Sequence, residues 1–158
     1  MKKFAANYVI SDSGELLKNG IVIAEDDGSV LEYIDTDGQL QEIARLEFRN
    51  GIILGGFTFV KVREAIPLLD FDSRFSSLIL PEISGMKEIS ILKWLDICKK
   101  IPAYFPDMII TEIMSGITDI LCTDCGFRKE NAHGIFLLTG SDLIVLKLTM
   151  NCRLKRIL

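Results

Sequence analysis

Turn residues cluster at close, regular intervals along the first sixty positions, and they limit the fold more than any other feature of the sequence. Ser11-Asp12-Ser13-Gly14, Lys18-Asn19-Gly20, Asp26-Asp27-Gly28 and Asp35-Thr36-Asp37-Gly38 each combine a residue that bonds its own backbone with one that tolerates positive φ. Between them lie short β-prone runs: Lys3 to Ile10, Ile21 to Ala24 and Val30 to Ile34. Ile43 to Arg49 alternates more loosely and reads as a further strand. This punctuation predicts an antiparallel meander or sandwich.

The middle of the chain changes period. Ile89, Leu92, Leu95, Ile97, Cys98 and Ile101 recur at helical spacing, with Ile91 and Trp94 widening the apolar stripe. Pro102 and Pro106 break the pattern. A second helix is expected after them, with Asp107 as its cap and Ile109, Ile110, Ile113, Met114, Ile117, Ile120 and Leu121 on its apolar side. Pro67, Pro81 and Gly85 interrupt residues 61–88, where Leu78-Ile79-Leu80 reads as a short strand. Strand character returns in Ile135 to Leu138 and Leu143 to Thr149, separated by the hairpin signal Thr139-Gly140-Ser141-Asp142. The expected class is α+β, with strands from both ends in one sheet system. Residues 1–60 and 133–158 form a discontinuous β-sandwich in this reading, and 61–132 a helical insertion within a single compact unit.

Composition narrows the function classes. At 158 residues one domain is expected. Eighteen Lys and Arg against 22 Asp and Glu give a net charge of −4, a balance that gives no reason to expect nucleic acid or an anionic membrane as partner. No apolar run approaches the ~20 residues that span a bilayer. The opening Met1-Lys2-Lys3-Phe4 lacks a signal-type apolar block behind it, so a cytoplasmic protein is expected. Mean hydropathy is +0.31, high for such a domain, and implies a large core, an apolar face, or both.

Catalytic motifs are missing. The chain has one histidine, His133, so a zinc or iron site of the multi-histidine kind is excluded by counting. There is no Gly-x-Ser-x-Gly elbow and no phosphate-binding loop; Gly51-Ile52-Ile53-Leu54-Gly55-Gly56 is not a dinucleotide fingerprint. Cys122-Thr123-Asp124-Cys125 follows an apolar helical stretch, where the pair reads as small residues at a helix end rather than a redox motif. A thiol switch there is a third, lesser reading. The pairs Asp26-Asp27, Asp35/Asp37 and Asp70/Asp72 lack the closing glutamate of a calcium loop and read as turn carboxylates. Arg153-Leu154-Lys155-Arg156 fits an alternating strand as well as an anion site. Met86, Met108, Met114 and Met150 read as core filler.

Several segments, taken in order, resemble the amidohydrolase superfamily, in its chlorohydrolase and aminodeoxyfutalosine or guanine deaminase-like branch. They are Tyr8 to Ile34 with its Lys18-Asn19-Gly20-Ile21-Val22-Ile23 and Asp27-Gly28-Ser29-Val30-Leu31, and then Asn50 to Phe57. Ile89-Ser90-Ile91-Leu92 through Tyr104-Phe105-Pro106-Asp107 follows, and last come Gly140 to Thr149 and Arg153 to Leu158. The resemblance covers about three-quarters of the chain. It implies a composite β-sandwich from the two ends, and a (β/α)8 barrel between them. Such a barrel needs ~200 residues or more and cannot fit here. The family's paired metal-binding histidines correspond to Lys61 and Arg63, and its catalytic aspartate falls near Pro81 or Glu82. Cations at the former positions repel a divalent metal.

The resemblance therefore implies a degenerate, non-catalytic remnant with no cofactor, acting as an interaction or assembly module. Leaving roughly 1000 Å² of barrel-facing apolar surface open would cost on the order of 25 kcal/mol. A homodimer is the expected remedy, and an intact amidohydrolase relative is the other expected partner. The alternative reading is a small-molecule binding protein in which Lys61 and Arg63 hold an anionic ligand at the former metal site, beside Glu82 as an approximate relic of the catalytic aspartate.

Overall fold

The computed structural model describes residues 1–55, 59–61, 73–121 and 134–158. Seven strands among them form one sheet. They are β1 (Lys2–Ile10), β2 (Leu16–Lys18), β3 (Ile21–Ala24), β4 (Val30–Ile34), β5 (Leu46–Gly55), β8 (Ile135–Thr139) and β9 (Arg153–Arg156). The path through the sheet is β4-β3-β1-β5-β8-β9, with β2 also paired to β1. The class is α+β, and strands from both ends of the sequence share the sheet. The expected meander holds for β1 to β4, whose pairings are antiparallel. It fails at β5, which starts at Leu46 rather than Ile43, runs on to Gly55 and pairs with β1 in parallel. Parallel neighbours need a long crossover. Here β2, β3 and β4 supply it, lying on one side of β1 while β5 takes the other.

The β1–β5 ladder contains one irregularity. Ala6 faces Arg49, but Tyr8 faces Ile52, so β5 carries one residue more than β1. Gly51 sits in this bulge at φ 135°, a conformation that side chains disfavour. Its N–H donates to the Asn7 side-chain oxygen at 2.7 Å, which replaces the interrupted backbone bond. A Cβ on Gly51 would stand 2.4 Å from the Leu138 carbonyl oxygen on the opposite strand.

Beyond the bulge the strands alternate. Ile52 and Leu54 face one buried cluster and Ile53 the other; Phe136 and Leu138 on β8 face the first and Ile135 the second. The second cluster is enclosed by strand residues such as Phe4, Val9, Val22 and Val30. The first is shared with the helices.

Three helices cover that first face: α1 (Ser73–Ile83), α2 (Ile91–Lys100) and α3 (Ile110–Leu121). Ser90 caps α2 by accepting from Lys93 N at 3.1 Å, and Ile91, Trp94, Leu95 and Cys98 bury one stripe. Ile101–Ala103 continue as a 3-10 turn in which Pro102 needs no donor. In α3, Ile110, Ile113, Met114 and Ile117 are buried. The carboxylate at its start belongs to Glu112, which accepts from Ile109 N at 3.1 Å, rather than to the expected Asp107. This is the reach-back half of a capping box. Residues 78–80 belong to α1 and are not the expected strand. Ile79 and Ile83, one turn apart, reach the core together, and Pro81 is accommodated inside the helix. A separate two-stranded pair, β6 (Phe59–Lys61) with β7 (Glu88–Ser90), precedes α2.

The C-terminal hairpin also differs from expectation. The antiparallel partner of β8 is β9, not Leu143 to Thr149. Asp142 diverts that segment: its carboxylate accepts from Ile144 N at 2.9 Å and Val145 N at 3.2 Å. The backbones of Asp142 and Lys147 exchange bonds, and Leu146 adopts φ 55°. An acidic side chain bonding local amides competes with a sheet ladder, and here the turn prevails.

Gly51→Ala should therefore destabilise the fold by at least about 2 kcal/mol, because the added methyl meets backbone and the φ is unfavourable. Denaturant titration of the variant checks this; an unchanged midpoint contradicts the geometry.

Candidate functional site

Helix spacing builds the site. Leu78 and Glu82 are four apart on α1, and Ile97, Lys100 and Ile101 follow the i, i+3, i+4 pattern at the end of α2. Where these two faces meet they leave a cavity of about 310 Å³. Leu78, Ile97 and Ile101 form apolar wall, and Ala103, Tyr104 and Met150 contribute on the side nearer solvent. Glu82 and Lys100 supply the charged end. That volume lies at the small end of ligand pockets.

The charged end is a three-residue cluster. Lys93 Nζ donates to Glu82 Oε2 at 2.8 Å, and Lys100 Nζ donates to Glu82 Oε1. Lys93 and Lys100 are seven residues apart, two turns of α2, so one carboxylate reaches both. The Lys100 hydrogen bond, and then the Lys93 bond, hold the Glu82 carboxyl down from an ordinary value of 4.5 to about 2. Two ammonium groups against one carboxylate leave a local charge of +1 at neutral pH.

Glu82 is thus the one expected site residue whose side-chain partners are described, and those partners are Lys93 and Lys100. Lys61 is the last residue of β6, with its backbone paired to Glu88. Arg63 lies outside the described residues, as do His133, Cys122, Cys125, Asp70 and Asp72. Sequence reasoning overlooked Lys93 and Lys100. The i, i+7 spacing of two lysines on one amphipathic helix was the available signal.

A second feature adjoins the cavity. Segment 140–151 packs against 105–110: Leu146 O accepts from Ile110 N at 2.8 Å, and Lys147 Nζ donates to Pro106 O. Thr149 Oγ1 donates to Gly140 O at 2.6 Å, closing the segment on itself. This tied segment presents Ile144 at 94% exposure, Val145 at 51% and Met150 at 69%, and Tyr104 beside the cavity is 62% exposed. Met114 lies in the core, whereas Met86 and Met150 are exposed, so the methionines are not uniformly core filler.

Other groups take structural roles. Asp27 accepts from Ser29 N at 2.8 Å and Asp35 from Asp37 N at 2.9 Å, as turn carboxylates do. Arg153, Lys155 and Arg156 are exposed on β9, with Leu154 packed inward, and Arg156 donates to Leu158 O at 2.8 Å. Cys98 is fully buried, and burial pushes its thiol pKa up, which disfavours the reactive thiolate. Among the described residues no three His, Cys, Asp or Glu converge as metal ligands, and no helix is long and apolar enough to cross a membrane. In comparisons with protein-family models, curated proteins and solved structures, nothing matches this chain.

Acid should act on the Glu82 cluster in a defined direction. Because the folded carboxyl titrates below its unfolded value, its pairs add stability above about 4.5 and lose it as pH falls through about 2. The pairs are partly solvated, so the effect is small. Glu82→Gln should lower Tm by only a few degrees at neutral pH, and thermal melts should show that gap closing near pH 2. A gap that persists unchanged in acid contradicts the assignment.

Proposed function

We propose that this chain is a non-catalytic interaction module that assembles with a second copy of itself through the 140–151 segment and neighbouring Tyr104. One observation carries the reading. A segment fixed by hydrogen bonds at Asp142, Lys147, Leu146 and Thr149 holds Ile144 and Val145 out in water. Exposed apolar side chains on a mobile loop cost little to explain. On a segment already ordered, they form a preorganised contact whose ordering entropy need not be spent at association. Met150 in the same segment, and Tyr104 beside it in the cavity lining, are also exposed and add an adaptable thioether and an aromatic, both favoured in interface cores.

The high mean hydropathy agrees with a covered face. Non-catalytic character rests on the single histidine and the missing nucleophile and phosphate motifs. The union of strands from both ends in one sheet is compatible with a reduced amidohydrolase-type β-sandwich, the origin we favour for the module. In that reading Lys61, at the end of β6, occupies the place of a metal-binding histidine, and an intact relative is a further partner.

Sedimentation equilibrium on the wild type and on Ile144→Asp/Val145→Asp tests the assembly. The expected result is a micromolar dimer in the wild type and association weakened at least about tenfold in the variant, with an unaltered circular dichroism spectrum. A wild type that stays monomeric throughout the micromolar range overturns the proposal.

A further inference from the structure

Beyond self-assembly, we infer that the cavity between α1 and α2 is a binding site for a small amphipathic anion, an apolar body of medium length carrying one carboxylate. Shape and charge specify the ligand together. The walls from Leu78, Ile97 and Ile101 are apolar and hold nothing that would satisfy a polar ligand body. At one end stands Lys100, which lines the cavity and shares Glu82 with Lys93. Lys93 stands outside the lining and holds one Glu82 oxygen, so the cluster behind the cavity end carries one spare positive charge, and a single incoming carboxylate on Lys100 completes a two-plus-two arrangement. A second acidic group would find no further counter-charge among the described lining residues.

The geometry favours this over a phosphate or a cation. A phosphate needs several donors around it, whereas the described lining offers one ammonium group, that of Lys100, beside apolar walls. A cationic ligand would have to compete with two lysines already in contact with Glu82. Size sets the length. About 310 Å³ equals the space of roughly ten waters, enough to hold a chain of medium length.

Octanoate is the probe, with 1-octanol as its neutral isostere and inorganic phosphate as a body-free anion. Calorimetry and methyl NMR of Met150 on the full chain should show saturable octanoate binding, with octanol at least tenfold weaker and phosphate silent. Lys100→Gln should weaken octanoate about tenfold while leaving octanol unchanged. Ala103→Trp, at an exposed cavity position, should block both without unfolding the protein. Equal affinity for octanoate and octanol, an unaffected Lys100→Gln variant, or no octanoate saturation at millimolar concentration each overturns the inference. Because Tyr104 and Met150 belong both to the proposed dimer contact and to the cavity mouth, the same titrations are run on the Ile144→Asp/Val145→Asp variant, where octanoate should bind at least as tightly as in the wild type, so loss of the dimer and loss of this site are separable results.

Discussion

Strand β5 is the constraint on which the rest of the molecule depends. It pairs with β1 on one edge and β8 on the other, so it joins the N-terminal strands to the β8–β9 pair in one sheet. From Gly51 to Gly55 it is buried, and its alternating side chains feed both hydrophobic clusters. A strand flanked on both edges and both faces has little tolerance for register error, because a one-residue slip would exchange the contents of the two clusters. The bulge at Gly51 sets that register. Asn7 supplies the missing acceptor, and the absent Cβ lets β8 approach.

The helical layer is fixed to this sheet by its apolar face and to itself by a charged clasp. Ile10, Ile52, Leu54, Phe136 and Leu138 meet Trp94, Ile97, Ile113 and Met114 in one cluster, so the sheet and α2–α3 share a core. The α1 helix adds Ile79 and Ile83 to the same cluster and reaches α2 at the surface through Glu82. The cavity lies beside the long side chains that join α1 to α2 at the surface. Lysines and a glutamate bridge the gap with their ends and leave space beneath their stems.

Much of the fold was legible from local chemistry. Asx and Gly residues delimited β1, β3 and β4 within a residue or two, and helical spacing marked α2 and α3, because in these places local preference and tertiary demand agree. Where they diverged, the sequence misled. Leu78-Ile79-Leu80 is too short an apolar run to distinguish a buried strand from one turn of helix. Leu143 to Thr149 has strong β propensity, yet Asp142 captures its first amides and leaves Arg153–Arg156 to complete the sheet. The parallel pairing of β1 and β5 carried no local signal at all, since orientation follows from the whole path between them. Of the site, Glu82 was picked out by resemblance, while its lysine partners lay on a helix read only for its apolar stripe.

The pairing of β5 with β8 bears on how the protein is made. Translation delivers β1 to β5 well before β8, and until residue 135 has emerged the outer edge of β5 offers unpaired amides and carbonyls beside Ile52, Ile53 and Leu54. The nascent chain therefore passes through a stage with an open, apolar strand edge, the kind of surface that chaperones capture and that seeds aggregation. Closure of the sheet is a late event, and synthesis rate over the helical segment sets how long that edge stays unguarded.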